Sequence, residues 1–261
     1  MKIIFPAIGI LILALGIIFP GNTWSAPSEL VLYLPFDEGE GKAPKDTSGN
    51  GNDGKFENNP EWVDGKRGKA LEFDGSSHVV VELSDSLAEL TKDFSVNFWA
   101  KRSDTQPGAW NYMVAADRTR WAVIYNSDQK VYVWASNPGW AQQAVSTDPL
   151  PEDWTHIAVT FDTKDKVKIR FDGKVIGESG GKPNETIPIE QCYEIGAIAT
   201  GGGCPAGEQF FSGIIDEVAI YNGILTEDEI KRDMEGNVGG VAAVRQKDKL
   251  AAVWGMIKKQ Y

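Results

Sequence analysis

An all-β sandwich of two antiparallel sheets, with short helices confined to the C-terminal end, is the fold this sequence predicts. Three observations point there. Apolar residues recur at a period of two, tight-turn residues separate these runs, and no long helical stripe occurs between residues 30 and 222. Phe94, Val96, Phe98 and Ala100 alternate with Ser95, Asn97, Trp99 and Lys101, and Val167, Ile169 and Phe171 alternate with Lys166, Lys168 and Arg170. One face of each strand is then buried and the other wet, as in an antiparallel sheet over a core. Ile157, Val159 and Phe161 make a further strand, as do Val131 and Val133. Asp172-Gly173 leads from the strand ending at Phe171 into Val175-Ile176, which predicts a hairpin with positive φ at both turn residues.

The ends of the chain differ from its middle. Lys2 precedes an uncharged apolar run over residues 3–19, and Pro20, Gly21 and small residues follow. This reads as an export signal, and cleavage after Ser25 puts Thr23 and Ser25 at the small-residue positions. An uncleaved anchor is the alternative, because the apolar run approaches the length of a membrane span. At the other end, Thr226 and Glu229 form a capping box that predicts a short helix through Met234, stopping near Gly236. Gly239-Gly240 reads as a hinge, and Leu250, Val253, Trp254 and Ile257 make one apolar helical stripe. The expected organisation is a signal peptide over 1–25, a sandwich over 26–235, and a linker with an amphipathic helix over 236–261. That last helix is expected to dock on the sandwich, with a protein partner as the alternative.

Removing 25 of 261 residues leaves enough chain for one sandwich domain, with no stable membrane span. The formal charge of −11 becomes −12 once Lys2 is lost. Such a balance argues against nucleic acid or an anionic membrane as partner, since both are held by clustered Lys and Arg. The two cysteines, Cys192 and Cys204, are expected to pair in an oxidising compartment and so close a loop containing Gly201, Gly202 and Gly203. The expected location is secreted, periplasmic or at the cell surface.

Seven motifs follow one another in order. They begin with Leu34-Pro35-Phe36-Asp37-Glu38-Gly39 and the turn-rich stretch from Asp46 to Gly54. Gly68-Lys69-Ala70-Leu71-Glu72-Phe73-Asp74-Gly75, Phe94-Ser95-Val96-Asn97-Phe98-Trp99 and the run from Trp154 to Asp162 come next. Phe171-Asp172-Gly173-Lys174 and the run from Gly213 to Asn222 end the series. This order resembles the laminin-G-like jelly-roll domains of the concanavalin A-like lectin/glucanase superfamily, common in exported bacterial proteins, over about residues 29–232. The resemblance implies a two-sheet antiparallel jelly roll. It leaves activity open, because such folds serve lectins, hydrolase accessories and adhesins alike.

In related sandwiches a structural Ca²⁺ often sits where the first strand, an early Gly/Asn loop and the last strand meet. The resemblance therefore implies Asp37, Asp46, Asn52 and Asp216 as calcium ligands. Asp216 adds a reason of its own. Alternation puts it on one face with Ile214, Val218 and Ile220, and a buried carboxylate needs a metal, a cation or several amide donors. The alternative is that Asp216 caps a turn while Asp46 and Asn52 solvate a hairpin. The stretch from Asp46 to Glu57 also matches EF-hand spacing. Its context does not match: a strand precedes it, and Gly39, Gly41 and Pro44 exclude the helix that the motif needs.

Residues 110–140 concentrate Trp110, Tyr112, Trp121, Tyr125, Tyr132, Trp134 and Trp140. Tyr132 and Trp134 fall on the face opposite Val131 and Val133. If the valines are core, these rings face outward, and aromatic platforms suit the apolar faces of pyranose rings. Polar candidates beside them are Asp117, Arg118, Arg120, Asn126 and Asn137. In the alternative, loops or the second sheet cover both faces and several of the rings are core. Trp99 and Trp154 read as core. Catalysis has little support: no strand carries the alternating acids of laminarinase-type hydrolases, and Asp216 and Glu217 point to opposite faces. The expected role is a non-catalytic carbohydrate-binding or adhesion module for a glycan or extracellular surface, stabilised by Ca²⁺ and a disulfide. The rivals are a structural or protein-interaction module, and a glycoside hydrolase or lyase with scattered acids.

Overall fold

The computed structural model describes residues 28–117, 120–136, 139–186, 188–198, 204 and 207–240. The signal segment, Arg118, Asn137 and the apolar stripe from Leu250 to Ile257 lie outside the described residues. Two antiparallel sheets face each other. Sheet A holds β1 (Glu29–Leu34), β3 (Glu61–Asp64), β4 (Lys69–Asp74), β6 (Phe94–Arg102), β11 (Thr155–Phe161), β12 (Val167–Phe171), β13 (Lys174–Glu178) and β15 (Ser212–Asn222). Sheet B holds β2 (Gly54–Glu57), β5 (His78–Glu82), β7 (Trp110–Ala116), β8 (Trp121–Asn126), β9 (Val131–Ser136), β10 (Trp140–Val145) and β14 (Cys192–Ile195). Two helices, α1 (Asp85–Ala88) and α2 (Glu227–Met234), complete the described elements.

The alternation in sequence becomes the core between the sheets. Val96 and Phe98 of β6, Ile157 and Val159 of β11, and Ile169 of β12 meet Val79 and Val81 of β5, Val123 of β8 and Val133 of β9 in one buried cluster. Asp172 and Gly173 take φ of 48° and 80°, so the predicted hairpin between β12 and β13 is built as its sequence requires. The stretch that matched EF-hand spacing runs from the loop after β1 through β2, with no helix on either side.

β15 organises sheet A. It pairs with β6 along one side, while on the other its residues Ser212–Ile215 pair with β4 and Val218–Asn222 pair with β1. Between these two partners the register shifts, and Glu217 takes a φ of 56°. This bulge changes the parity of the strand. Ile215, Val218 and Ile220 enter the core, and Asp216 lies opposite Trp99 on the outer face. Simple alternation, which put Asp216 with Val218 and Ile220, fails here because the strand carries an extra residue.

The predicted capping box is present: Glu229 N donates to the Thr226 hydroxyl at 3.3 Å, and Thr226 N donates to Glu229 Oε2 at 2.9 Å. α2 lays Ile230 on the outer face of sheet A, against Ala158, Ala219, Tyr221 and Leu225. Asp233 fixes the helix by accepting from Tyr221 OH at 2.7 Å and from Asn97 Nδ2 at 2.8 Å. Burial pushes the Asp233 carboxyl up to about 6. Cys192 at the start of β14 is disulfide-bonded to Cys204, with Cα atoms 6.1 Å apart. Among the described residues no helix is long and apolar enough to cross a membrane.

His156 of β11 is buried on the outer face of sheet A, edge-on to Trp99 at 5.2 Å. Burial and the nearby Arg67 charge hold its pKa down at about 3. Below the ordinary histidine range the unfolded chain therefore binds a proton that the folded chain refuses, and stability is lost as pH falls from about 6.5 towards 3. The excess stability of the wild type over His156→Gln should shrink steadily between pH 7 and pH 4 in urea unfolding. A difference independent of pH would show that His156 titrates normally.

Candidate functional site

Two places on the molecule collect the residue types that the sequence singled out. The first is the outer face of sheet B. On β9, Val131, Val133 and Ala135 point into the core, which leaves Tyr132 and Trp134 outside. β7 and β8 place Tyr112, Ala115, Ala122 and Ile124 on the same outer face. Trp110 and Trp140 flank them. Trp110 meets Tyr132 at 5.4 Å and Trp134 at 5.5 Å, both edge to face, and Trp134 meets Trp140 at 5.5 Å. Four rings thus form one continuous aromatic surface, with Trp110 36% exposed and the other three half-buried. Tyr112 is buried beneath them.

Several sequence candidates do not join this surface. Trp121 and Tyr125 point the other way, into the inter-sheet core, where Trp121 packs on Phe94 and Tyr193 at 5.0 and 5.7 Å. Their positions on β8 have the parity of Val123, so a ligand on the outer face does not reach them. Asn126 caps the turn after β8, its Oδ1 accepting from Asp128 N at 3.1 Å. Asp117 is buried at the end of β7 and accepts from Glu190 N at 2.7 Å. Arg120 pairs with Glu190 at 3.1 Å. Conversely, a cleft of about 330 Å³ beside Trp110 is lined by Gln209 and Phe210, which the sequence did not suggest. They lie far along the chain, and no local pattern ties them to the aromatic run.

The second place is the bulge of β15. Asp216 is fully buried; its Oδ2 accepts from Arg67 N at 3.0 Å, and its Oδ1 has no hydrogen-bond partner. Burial pushes the carboxyl up to about 7, with the charges of Glu217 and Asp37 acting in the same direction. Tyr33 of β1 donates its hydroxyl to Glu217. Asp37 accepts from Lys69 N at 3.0 Å. The turn between β3 and β4 closes this corner and depends on glycine. A Cβ on Gly68 would sit 1.9 Å from Asp37 Oδ1, and one on Gly65 would sit 2.5–2.7 Å from the carbonyls of Arg67 and Lys69 and from Asp216 Oδ2. Oxygens from three segments therefore converge on a site with an orphaned buried carboxylate oxygen. Carboxylates and turn carbonyls are the donor types a hard cation takes, and among the described residues Asp37, Asp216 and Glu217 do not bring three ligand oxygens within 4.8 Å of one another. Sequence reasoning found Asp37 and Asp216 and missed Tyr33, Arg67 and Glu217.

Asp46 and Asn52 have a different task. The two Asp46 oxygens accept from Tyr33 N, Ser48 N, the Ser48 hydroxyl and Asn52 N, all at 2.8–2.9 Å. Asn52 Nδ2 donates to Val31 O at 2.7 Å. These bonds fold the 46–52 loop onto β1. Asp46→Ala strips an acceptor from three amides and a hydroxyl, and it should cost about 2 kcal/mol or more in chemical denaturation, with calcium present or absent. A loss that appears only when calcium is present would return Asp46 to the metal site.

The family model for the concanavalin A-like lectin/glucanases superfamily, Laminin_G_3, matches residues 73–231, more than half of the chain. The protein belongs to this family. No curated protein matches the chain. Among solved structures, domain 4 of AbnA, a GH43 extracellular arabinanase from Geobacillus stearothermophilus in complex with arabinotriose, is similar at 20% identity and a TM-score of 0.62. That match covers 79% of this chain and 98% of the arabinanase domain. The binding domain of botulinum neurotoxin serotype C1 is similar at 15% identity and a TM-score of 0.60, over 78% of this chain and 51% of the toxin domain. The binding domain of Paraclostridial Mosquitocidal Protein 1 is similar at 18% identity and a TM-score of 0.57, over 78% and 51%. This chain thus spans about half the length of the toxin domains that it matches. At these identities the likeness establishes the fold alone.

Proposed function

We propose that the protein is an exported, non-catalytic carbohydrate-binding or adhesion module that receives glycan on the outer aromatic face of sheet B. The observation that carries this reading is the continuous row of Trp110, Tyr132, Trp134 and Trp140, a large apolar surface on the wet side of a sheet. Stacking on sugar C–H faces suits rings held edge to face by their neighbours, because little side-chain entropy remains to be lost on binding. The arabinanase domain named with arabinotriose supports a saccharide ligand for this fold. The apolar leader and the disulfide support export.

Calcium has a structural part in this reading. Asp37 and Asp216, with the carbonyls of the 65–69 turn, would hold it, and the ion would compensate carboxylates that burial otherwise penalises. No step of ligand recognition depends on it.

On a glycan array followed by calorimetry, Trp134→Ala and Trp110→Ala should each weaken binding of the best wild-type ligand at least tenfold, about 1.4 kcal/mol, with the melting temperature little changed. A folded wild type that binds no glycan would sink this reading in favour of a protein-interaction module. For the metal, a chelator should lower the melting temperature of the wild type and leave that of Asp216→Asn unmoved. A wild type indifferent to chelation would contradict the calcium site.

A further inference from the structure

The other sheet carries a groove that the aromatic face does not explain. It is a depression of about 930 Å³ on the outer side of sheet A, beyond the area covered by α2. Outward-facing residues of β11 and β12 form its floor, among them Thr160 and Arg170, and Asn222 and Thr226 of the segment leading to α2 contribute to its wall. Lys166 and Lys168 line it on the side of the β11–β12 turn. No aromatic side chain lines it. Its chemistry is that of hydroxyls, amides and charges.

Arg170 is the anomaly in this groove. It is only 6% exposed, yet among the described residues its one hydrogen bond runs from a terminal nitrogen to the Thr160 hydroxyl at 3.2 Å. Its Nε has no hydrogen-bond partner, and among the described residues no carboxylate forms an ion pair with it. Glu227 acts on it only at a distance, and burial lowers its pKa. A guanidinium presents five N–H donors in a planar fork, and here the buried Nε–H is left unmet. Four of the acids nearby are already committed, while Glu29, Glu89 and Glu227 also line the groove. Asp93 holds Thr163 and Lys164, Asp165 holds Lys168, and Asp162 accepts from the amides of Lys164 and Asp165. Glu178 holds Lys166. Among the described residues the groove thus holds a buried cation in no direct ion pair, with Glu227 the carboxylate that acts on it from a distance.

We infer that this groove is a second ligand site, in which Arg170, assisted by Lys168, receives a single oxyanion carried by an otherwise neutral saccharide, such as the carboxylate of a uronic acid. A planar carboxylate matches the guanidinium fork, and the hydroxyls of Thr160 and Thr226 and the amide of Asn222 suit sugar hydroxyls. Glu29, Glu89, Asp162 and Glu227 on the same walls repel densely charged chains, so a polysulfated glycan is the wrong partner. The volume lies within the range of small-ligand sites. This site is separate from the aromatic face of sheet B and stands whether or not that face binds sugar.

Calorimetry of the whole chain with galacturonic acid, its methyl ester and galactose 6-sulfate tests the assignment. Galacturonic acid should bind, the ester at least tenfold more weakly, and Arg170→Gln should abolish binding while Trp134→Ala leaves it intact. Binding of galactose 6-sulfate with the same dependence on Arg170 would keep the site and assign the oxyanion to a sulfate ester. If Arg170→Gln fails to fold, the partly exposed Lys168→Glu supplies the test, since charge reversal at the rim should cost at least tenfold in affinity. No binding of either acid to the wild type, equal binding of acid and ester, binding unaffected by both variants, or loss of acid binding in Trp134→Ala would each overturn the inference.

Discussion

The break in β15 at Asp216 and Glu217 is the constraint on which much of the molecule depends. One strand must serve three partners: β6 along its whole length, then β4 and β1 in succession on its other side. Changing partners requires a local change of register, and the bulge provides it by accepting a left-handed Glu217. Two consequences follow at once. The second half of the strand re-enters the core with Val218 and Ile220, and an acidic residue is left fully buried at the seam. The turn at residues 65–69 closes over that carboxylate with the Arg67 amide, and glycine is needed there because side chains would collide with the oxygens. Backbone pairing thus creates the buried charge that the calcium proposal is meant to compensate.

Each sheet has one face in the common core, and the outer faces are used differently. Sheet A is covered in part by α2, which is held by a carboxylate bonded to two strands and an apolar contact through Ile230. Next to the covered area, its floor is polar and carries Arg170. Sheet B instead exposes large rings on short strands, supported from beneath by Tyr112, Ile124 and small alanines. Alanine at Ala115 and Ala122 leaves room for neighbouring rings to lie over the strands. One sandwich therefore offers an apolar, ring-lined surface and a charged, hydroxyl-lined groove on opposite sides.

Much of this was legible in the sequence. The period of two along β6, β9, β11 and β12 identified the inward residues, the Asp172-Gly173 pair set a hairpin, and Thr226 with Glu229 set the start of α2. Each of these depends on neighbours within a few residues. The aromatic run over 110–140 was legible as a concentration of rings but not as a surface. Tyr132 and Trp134 fell on the outer face because β9 keeps strict alternation. On the adjacent β8 the same rule places Trp121 and Tyr125 in the core, and only knowledge of which face meets sheet A separates the two cases. Asp46 looked like a metal ligand because a carboxylate in a Gly- and Asn-rich turn suits either role. Its four short bonds within the loop are visible only once the loop is folded onto β1.

By itself, then, the sequence determined the elements: strands, their turns, the capped helix and the sides of each strand that must differ. These follow from local sterics and from the hydrophobic effect acting on a fixed periodicity. Tertiary structure decided what each side faces. It shifted the parity of β15, brought Arg67 and Tyr33 to the acidic corner, set Gln209 and Phe210 beside Trp110, and buried Arg170 with no direct ion pair among the described residues. Such outcomes depend on which distant segments share a surface, and nothing in local spacing records that.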